Sequence, residues 1–188
     1  MRVPLLISGP GIDKNSSSNV RTSGVDLFPT IAALAGIENN LPNGLEGGSL
    51  VPLFRKNDRN KVERDREELV FHVPHYDKDS RWPASVILLG NYKLIRIYES
   101  GKRLLFDLST DVSERNDLAD IMPEKVKELD QHLTEYLREV NAQIPRVNPD
   151  FDSDKPLTPN ERKRGRVGAG RNRRDGQRRS RRRSVESE

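Results

Sequence analysis

Residues 84–108 read ASVILLGNYKLIRIYESGKRLLFDL, a succession of apolar runs separated by turn residues. The pattern predicts a strand over residues 84–99, with a break at Gly90-Asn91, and another strand over residues 103–108. The sequence Glu-Ser-Gly-Lys between them has the composition of a tight turn, so the two strands should form an antiparallel hairpin. A third candidate strand, over residues 68–73, completes a small antiparallel sheet.

A helix should cover this sheet. Residues 123–142 carry proline in the first turn and apolar side chains at intervals near 3.6 residues, the pattern of a helix with one buried face. The candidate core side chains of the sheet are Ile87, Leu89, Leu94, Ile95, Ile97 and Leu105. Those of the helix are Val126, Leu129, Leu133, Tyr136, Leu137 and Val140.

The first 36 residues have the pattern of one strand and one helix. Residues 3–8 are apolar without alternation, as in a strand buried on both faces of a sheet, and Gly9-Pro-Gly11 ends the run. A helix is predicted over residues 26–35, with Asp26 as its N-cap in preference to a catalytic role. The face that should lie against the sheet comprises Leu27, Phe28, Ile31, Leu34 and Ala35.

One strand cannot form a sheet, so the strand over residues 3–8 requires neighbours from other sequence. We therefore expect the chain to begin inside a domain. The edge of this strand and the apolar face of the helix over residues 26–35 should then be incompletely covered.

Charge is distributed unevenly along the 188 residues. Residues 1–150 have a net charge of −3 and residues 151–188 a net charge of +7. Beyond Phe151 the composition turns to Arg, Gly, Ser and Pro, which predicts a disordered basic tail. This tail is either a solvated extension or a nonspecific, salt-sensitive binder of polyanions. Its arginines have no interleaved aromatic residue on which bases could stack.

Several classes of protein and site are excluded by what the sequence lacks. No apolar run approaches the ~20 residues needed to span a bilayer, and the first residues do not have the pattern of a signal peptide. The absence of cysteine excludes disulfides and thiolate metal sites. It leaves the redox compartment open.

Eight short segments follow one another in an order typical of one family. They are residues 3–8, 25–36, 44–50, 71–76, 90–95, 104–108, 111–114 and 116–119. In this order and spacing they resemble the arylsulfatase-type branch of the sulfatase family, within the alkaline-phosphatase-like superfamily. The resemblance covers residues 1–145 and concerns only the C-terminal portion of such an enzyme.

The resemblance implies an α/β organisation. Residues 1–54 would be the end of the catalytic α/β domain, contributing its last strand and helix, and residues 55–67 a connection. Residues 68–150 would be the C-terminal subdomain, an antiparallel sheet packed against a helix. Residues 151–188 would be the disordered, arginine-rich tail.

The resemblance also implies catalytic groups that this sequence does not carry. The full-length family enzyme would use a formylglycine, made within a Cys/Ser-x-Pro-x-Arg sequence, and a calcium ion held by paired aspartates. This chain has no cysteine and no serine in that pattern. No catalytic or metal-binding residue is therefore assigned, and the chain should be inactive alone.

His72 and His75 are the candidate substrate-binding residues. They lie on either side of Pro74 in Phe71-His-Val-Pro-His-Tyr76, and the resemblance implies that this strand end and loop lie beside the sulfate pocket. Both imidazoles could donate hydrogen bonds to an anionic sulfate. Alternatively, His72 lies on one face of a strand and His75 in a polar loop without a ligand. A metal pair would lack a third ligand nearby.

Other side chains receive structural interpretations. Trp82, the only tryptophan of the chain, either anchors its loop over the subdomain or stacks on a sugar or aromatic group. Lys93 is interpreted as a structural strand residue. Asp107, Asp111 and Glu114 have the positions of turn and cap carboxylates, and no spacing pairs them for acid–base chemistry.

These observations predict a C-terminal fragment of a sulfuric ester hydrolase. Its partner would be a sulfate ester, including sulfated glycans, once the N-terminal part completes the enzyme. The alternative is a non-catalytic module that binds an anion or a protein partner and uses the basic tail. A third possibility is another member of the superfamily, such as a phosphonate monoester hydrolase. The resemblance implies a periplasmic, secreted or lysosomal location, but no signal in the chain selects one.

Overall fold

The computed structural model of the protein describes residues 3–37, 41–55, 61–76, 82–146, 148–149 and 151. These residues form a four-stranded antiparallel sheet and two α-helices. None of the helices in the described ranges is long and apolar enough to cross a membrane. The predicted basic tail, from residue 152 onwards, lies outside the described residues.

The sheet contains the three strand regions expected from the sequence, and the region over residues 84–99 is divided at Gly90-Asn91 into two separate strands. In chain order, and side by side in the sheet, they are β1 (Leu69–Val73), β2 (Ala84–Leu89), β3 (Tyr92–Ile97) and β4 (Arg103–Asp107). Gly90 in the β2–β3 turn has a φ of 55°, a conformation that is strained for residues with a side chain. The β3–β4 hairpin is closed by a hydrogen bond of 2.9 Å from the Ile97 amide to the Lys102 carbonyl.

Helix α2 (Pro123–Glu139) covers the sheet as predicted, although it ends three residues earlier than residue 142. Leu129, Leu133 and Leu137 are its buried side chains, each at most 3% exposed. Burial of each leucine contributes about 1.5–3 kcal/mol before conformational entropy is subtracted. On the sheet, Ile87, Leu94 and Leu105 are fully buried.

Ion pairs fix α2 to two neighbouring strands. Asp130 of α2 accepts a hydrogen bond of 2.7 Å from Nε of Arg96 in β3, and one of 3.2 Å from Nη2 of Arg103 in β4. Burial raises the pKa of Asp130, but the hydrogen bonds and charges of the two arginines outweigh burial and the pKa is lowered. The carboxylate therefore stays ionised and attached to the sheet at neutral pH.

Helix α1 (Leu27–Leu34) begins directly after a 3-10 turn at Gly24–Asp26, close to the predicted bounds. Its apolar face does not lie against the sheet as predicted: Leu27, Phe28, Ile31 and Leu34 are 43–65% exposed. Helical periodicity specifies which side chains share a face, but not what that face meets. The expectation that this face is incompletely covered is confirmed.

The strand predicted over residues 3–8 is wrong for the described structure. None of the described residues pairs with this segment in a sheet, and its Val3 and Leu6 are 79% and 92% exposed. An apolar run becomes a strand only when a neighbouring strand accepts and donates its backbone hydrogen bonds. The exposure of these side chains agrees with the expectation that this segment is incompletely covered.

Asp26 stands at the N-cap position of α1, as predicted, but its side chain does not cap that helix. Its carboxylate makes no cap hydrogen bond to that helix and is fully buried. Oδ2 accepts from the Ser23 amide at 2.7 Å and Oδ1 from the Gly48 amide at 3.0 Å. Arg64 donates through Nε to Oδ1 at 2.8 Å and through Nη2 to Oδ2 at 2.7 Å. A buried carboxylate requires such partners, and capping would have supplied no counter-charge.

Close backbone contacts explain the glycines that precede Leu50. A Cβ on Gly47 would lie 2.0 Å from the Val25 carbonyl oxygen, and a Cβ on Gly48 would lie 2.0 Å from the Glu63 carbonyl oxygen. Only glycine fits at either position. The approach brings the Gly48 amide within reach of the Asp26 carboxylate.

The chain divides into two compact units, Met1–Val70 with Ile87–Tyr92, and Phe71–Val86 with Lys93–Glu188. The network of Asp26 and Arg64 belongs to the first unit. The residues of the candidate functional site belong to the second. The domain bounds proposed from the sequence, with a connection at residues 55–67, stay a prediction.

Candidate functional site

A cavity of about 470 Å³ lies in the second unit, next to the end of β1. Proline at position 74 has no backbone N–H, so strand pairing stops after Val73 and the chain turns along the cavity. Three prolines and Ile144 supply its apolar lining. Its polar lining comes from His75, Tyr76, Glu99, Gln143, Arg146 and Asn148.

Two side chains that can carry positive charge line this cavity. His75 and Arg146 are both exposed there, although 71 positions separate them in the sequence. The guanidinium offers planar, bidentate donors to an oxyanion, and the imidazole offers an N–H. The arrangement can therefore bind an anion such as a sulfate group.

His72 has a different environment, because both ring nitrogens bond to other groups of the second unit. Nε2 lies 3.0 Å from the Gln143 carbonyl oxygen, and Nδ1 lies 2.7 Å from Oγ of Ser85. A carbonyl can only accept, so Nε2 carries the hydrogen, and in the tautomer with hydrogen on Nε2 alone Nδ1 accepts from the Ser85 hydroxyl. The Ser85 oxygen, 2.7 Å from the Tyr98 hydroxyl, then accepts from Tyr98.

Glu99 is a buried carboxylate at the cavity wall, 8% exposed. Its Oε1 accepts a hydrogen bond from the hydroxyl of Tyr76, and its Oε2 accepts one of 3.0 Å from the backbone N–H of Asn148. Burial, together with the hydrogen bond to the Glu99 carboxylate, raises the pKa of Tyr76 above its ordinary value. Tyr76 therefore remains a protonated donor at neutral pH.

Trp82 packs edge to face against Phe151, with ring centroids 6.4 Å apart. This contact fits the interpretation of Trp82 as an anchor, because the ring is engaged by the protein's own aromatic side chain. Among the described residues, Trp82 is not part of the cavity lining.

The remaining polar residues named from the sequence have structural partners. Lys93 is 9% exposed, and its Nζ lies 2.5 Å from Oε2 of Glu114. Asp107 accepts from the hydroxyl and amide of Ser109, and the hydroxyl hydrogen bond is the main reason that its pKa is lowered. Asp111 accepts from two successive backbone amides after the turn. The interpretation of Asp107 and Asp111 as turn carboxylates is confirmed, whereas Glu114 serves as the ion-pair partner of Lys93.

Sequence reasoning missed Glu99, Arg146 and Asn148 as residues of the site. Glu99 was interpreted as part of a hairpin turn, and Arg146 and Asn148 lie in the segment where prolines end α2. No periodicity or motif indicates that this segment returns to the end of β1. The Pro-His-Tyr sequence at residues 74–76 was the only local signal of the cavity.

Among the described residues there is no group of three or more His, Cys, Asp or Glu side chains that could hold a metal ion. The calcium ion implied by the family therefore has no fitting ligand set in this part of the chain. Ser85, the hydroxyl partner of His72, is fully buried and therefore not accessible to a ligand. The cavity lined by His75 and Arg146 is the candidate site for an anion.

Comparison with known proteins agrees with the resemblance. A family model described as N-sulphoglucosamine sulphohydrolase, C-terminal, matches residues 1–143. Arylsulfatase K of Rattus norvegicus is 33% identical over 156 residues, which cover 78% of this chain and 26% of the rat protein. The chain thus spans about a quarter of the length of the curated relatives it matches.

Solved sulfatase structures share the fold. A 2-O GAG sulfatase superposes with a TM-score of 0.61 at 24% identity, over 79% of this chain and 33% of that chain. A protein solved in complex with its substrate D-glucosamine-2-N,6-O-disulfate superposes with a TM-score of 0.53 at 26% identity, over 77% of this chain and 28% of that chain. The match of the family model over three quarters of the sequence assigns the chain to the sulfatase family, as its C-terminal portion.

Proposed function

We propose that this chain supplies the C-terminal part of a sulfuric ester hydrolase, and that its cavity binds the sulfated part of the substrate. The observation that carries the proposal is that His75 and Arg146 line one cavity. Two donors that can carry positive charge, brought from distant segments to one cavity, favour an anionic ligand.

The rest of the cavity fits a sugar that carries the anion. Both oxygens of Glu99 accept hydrogen bonds from neutral donors of the protein, which stabilise this carboxylate within the cavity wall. The prolines and Ile144 offer apolar surface to the C–H face of a sugar ring. A sulfated glycan is accordingly the substrate class that we propose, in keeping with the sulfated glucosamine bound by one structural relative.

The bond-breaking chemistry would come from sequence outside this chain. In the family it would be supplied by a formylglycine and calcium, and the described residues contain no ligand set for that metal. We propose that residues 1–54 complete the catalytic α/β domain and that residues 68–150 form the C-terminal subdomain. The 188-residue chain should then not hydrolyse sulfate esters. Turnover of an aryl sulfate above that of a matched contaminant control would contradict this.

Binding of D-glucosamine-2-N,6-O-disulfate to the 188-residue chain tests the site, by calorimetric or NMR titration. Arg146→Ala and His75→Ala should each weaken binding about tenfold, because each removes one charge-assisted hydrogen bond to the ligand. Unsulfated glucosamine should bind more weakly than the disulfate.

Matched controls are available on α2. His132 and Arg138 are exposed there and lie outside the cavity lining, so His132→Ala and Arg138→Ala should leave the affinity unchanged. Equal affinity of the wild type and both cavity variants would remove the proposed binding site.

A further inference from the structure

The segment that follows α2 forms one wall of the cavity, although it is neither helix nor strand. Gln143, Ile144, Pro145, Arg146 and Asn148 line the cavity, and we refer to these five residues as the strap. A segment without regular backbone pairing keeps its position only through specific contacts with the rest of the fold. The strap has such a contact at each end.

His72 of β1 bonds to the first end. Its Nε2 donates to the Gln143 carbonyl oxygen at 3.0 Å, 71 residues away in the sequence. The ring is oriented from behind by Ser85, which is fully buried, and packs edge to face on Tyr98 with ring centroids 6.1 Å apart. With both nitrogens engaged, His72 has no N–H left to offer a ligand, but it fixes where the strap begins.

Glu99 bonds to the other end. Its Oε2 accepts from the Asn148 amide at 3.0 Å, while its Oε1 accepts from Tyr76, which lines the cavity beside His75. Release of the strap would leave this buried carboxylate with one hydrogen-bond partner fewer, an arrangement that is costly in a desolvated position. Glu99 therefore couples the strap to the Tyr76 side of the cavity.

We propose that His72 and Glu99 are positioning residues that dock the strap, and that the docked strap places Arg146 opposite His75 for binding of the sulfated ligand. The ligand part of this inference rests on the proposed function. The docking part rests only on contacts within the second unit.

The test uses the 188-residue chain and three measurements, each of which reports on a different part of the strap or the cavity. Hydrogen exchange of the Asn148 amide reports the Glu99 contact directly. Acrylamide quenching of Trp82, the chain's single tryptophan, reports the end of the strap, because Trp82 packs on Phe151 just beyond Asn148. Titration with D-glucosamine-2-N,6-O-disulfate reports the cavity itself.

His72→Asn cannot place a donor at the Nε2 position, whereas His72→Gln can. We expect His72→Asn to accelerate hydrogen exchange of the Asn148 backbone amide and to increase the quenching of Trp82. It should also lower the affinity for the sulfated ligand about two- to tenfold. His72→Gln should return all three towards wild type, and His132→Asn, at an exposed position of α2, should change none. Thermal unfolding recorded in parallel separates docking from stability, because a purely structural role would lower Tm without changing affinity.

Glu99→Leu removes both acceptor oxygens at the other end of the strap, and it tests the docking even if His72→Asn does not fold. It should change exchange and quenching in the same direction. If the folded His72 and Glu99 variants show wild-type exchange of the Asn148 backbone amide and wild-type quenching of Trp82, the docking of the strap is overturned. Altered exchange with wild-type affinity, while His75→Ala weakens binding, would overturn its role in placing Arg146. Wild-type affinity of His75→Ala would instead contradict the proposed function, and exchange and quenching would still decide on docking.

Discussion

At the scale of single residues, the most consequential pair is Asp26 and Arg64. Both side chains are buried, at 0% and 8% exposure, and the guanidinium bonds to both carboxylate oxygens. Nη2 of Arg64 also donates to the Arg21 carbonyl at 3.1 Å. Since the Gly48 amide also bonds to Asp26, the pair joins three stretches of the first unit that are remote in sequence: residues 21–26, Gly48 and Arg64.

Asp26→Asn should lower the free energy of unfolding by about 3 to 5 kcal/mol, because it leaves a buried guanidinium without its counter-charge. Urea denaturation measures the loss, and faster hydrogen exchange of the Ser23 and Gly48 amides should locate it. The double variant Asp26→Asn with Arg64→Leu should be less destabilised than Asp26→Asn alone, since no unpaired charge remains. A double variant that is less stable than the single one would argue against this explanation.

At the scale of elements, the attachment of α2 combines a leucine stripe with the Asp130 carboxylate. Leu129, Leu133 and Leu137 are the buried side chains of the helix, while Asp130 forms ion pairs with Arg96 and Arg103 of the sheet. The pKa of Asp130 is lowered in the folded protein. A lowered folded pKa means that stabilisation is complete above the unfolded carboxyl pKa and is lost as pH falls through the folded pKa.

Asp130→Asn should therefore cost about 1–2 kcal/mol at pH 7, a value discounted for the partial exposure of the carboxylate. The difference from wild type should shrink as the pH falls below about 4, where the carboxyl of the unfolded chain becomes protonated, and should vanish below the lowered pKa of the folded carboxylate. Urea denaturation at a series of pH values measures both effects. Asp120→Asn, at an exposed position before α2, is the control and should track wild type throughout. A difference that is constant with pH would mean that charge is not the cause.

At the scale of the whole molecule, the first unit presents an unusual amount of apolar surface. Phe28, Ile31 and Leu34 of α1 are 53–65% exposed. Contiguous apolar surface of this kind mediates association in water. The chain covers about a quarter of the length of the curated relatives that it matches.

We expect the isolated chain to self-associate as its concentration rises, and the combined change Phe28→Ser with Ile31→Lys to reduce that association. Both side chains are already half exposed or more, so stability should change by only about 0.5 kcal/mol. Sedimentation velocity over a concentration series measures the effect. Ile121→Lys, which removes an exposed isoleucine from the second unit, should leave association unchanged. A monodisperse wild-type monomer throughout the series would contradict the prediction.

The sequence by itself determined the hairpins, the bounds of both helices to within a few residues, the buried leucine stripe of α2 and the family. These features depend on turn residues such as Gly90, on periodicity and on the order of short segments, all of which act over neighbouring positions. It also pointed to the Pro-His-Tyr end of β1, because proline and histidine together are a local signal.

Tertiary structure alone decided the partners. It paired the Asp26 carboxylate with Arg64, 38 residues away, in place of a cap hydrogen bond to α1. It joined His72 to the Gln143 carbonyl, and it brought Arg146 to the cavity lined by His75. It also left residues 3–8 without a strand partner among the described residues. The physical reason is the same in each case: a hydrogen bond or an ion pair depends on where the folded backbone carries two distant groups, and no pattern of neighbouring residues records that path.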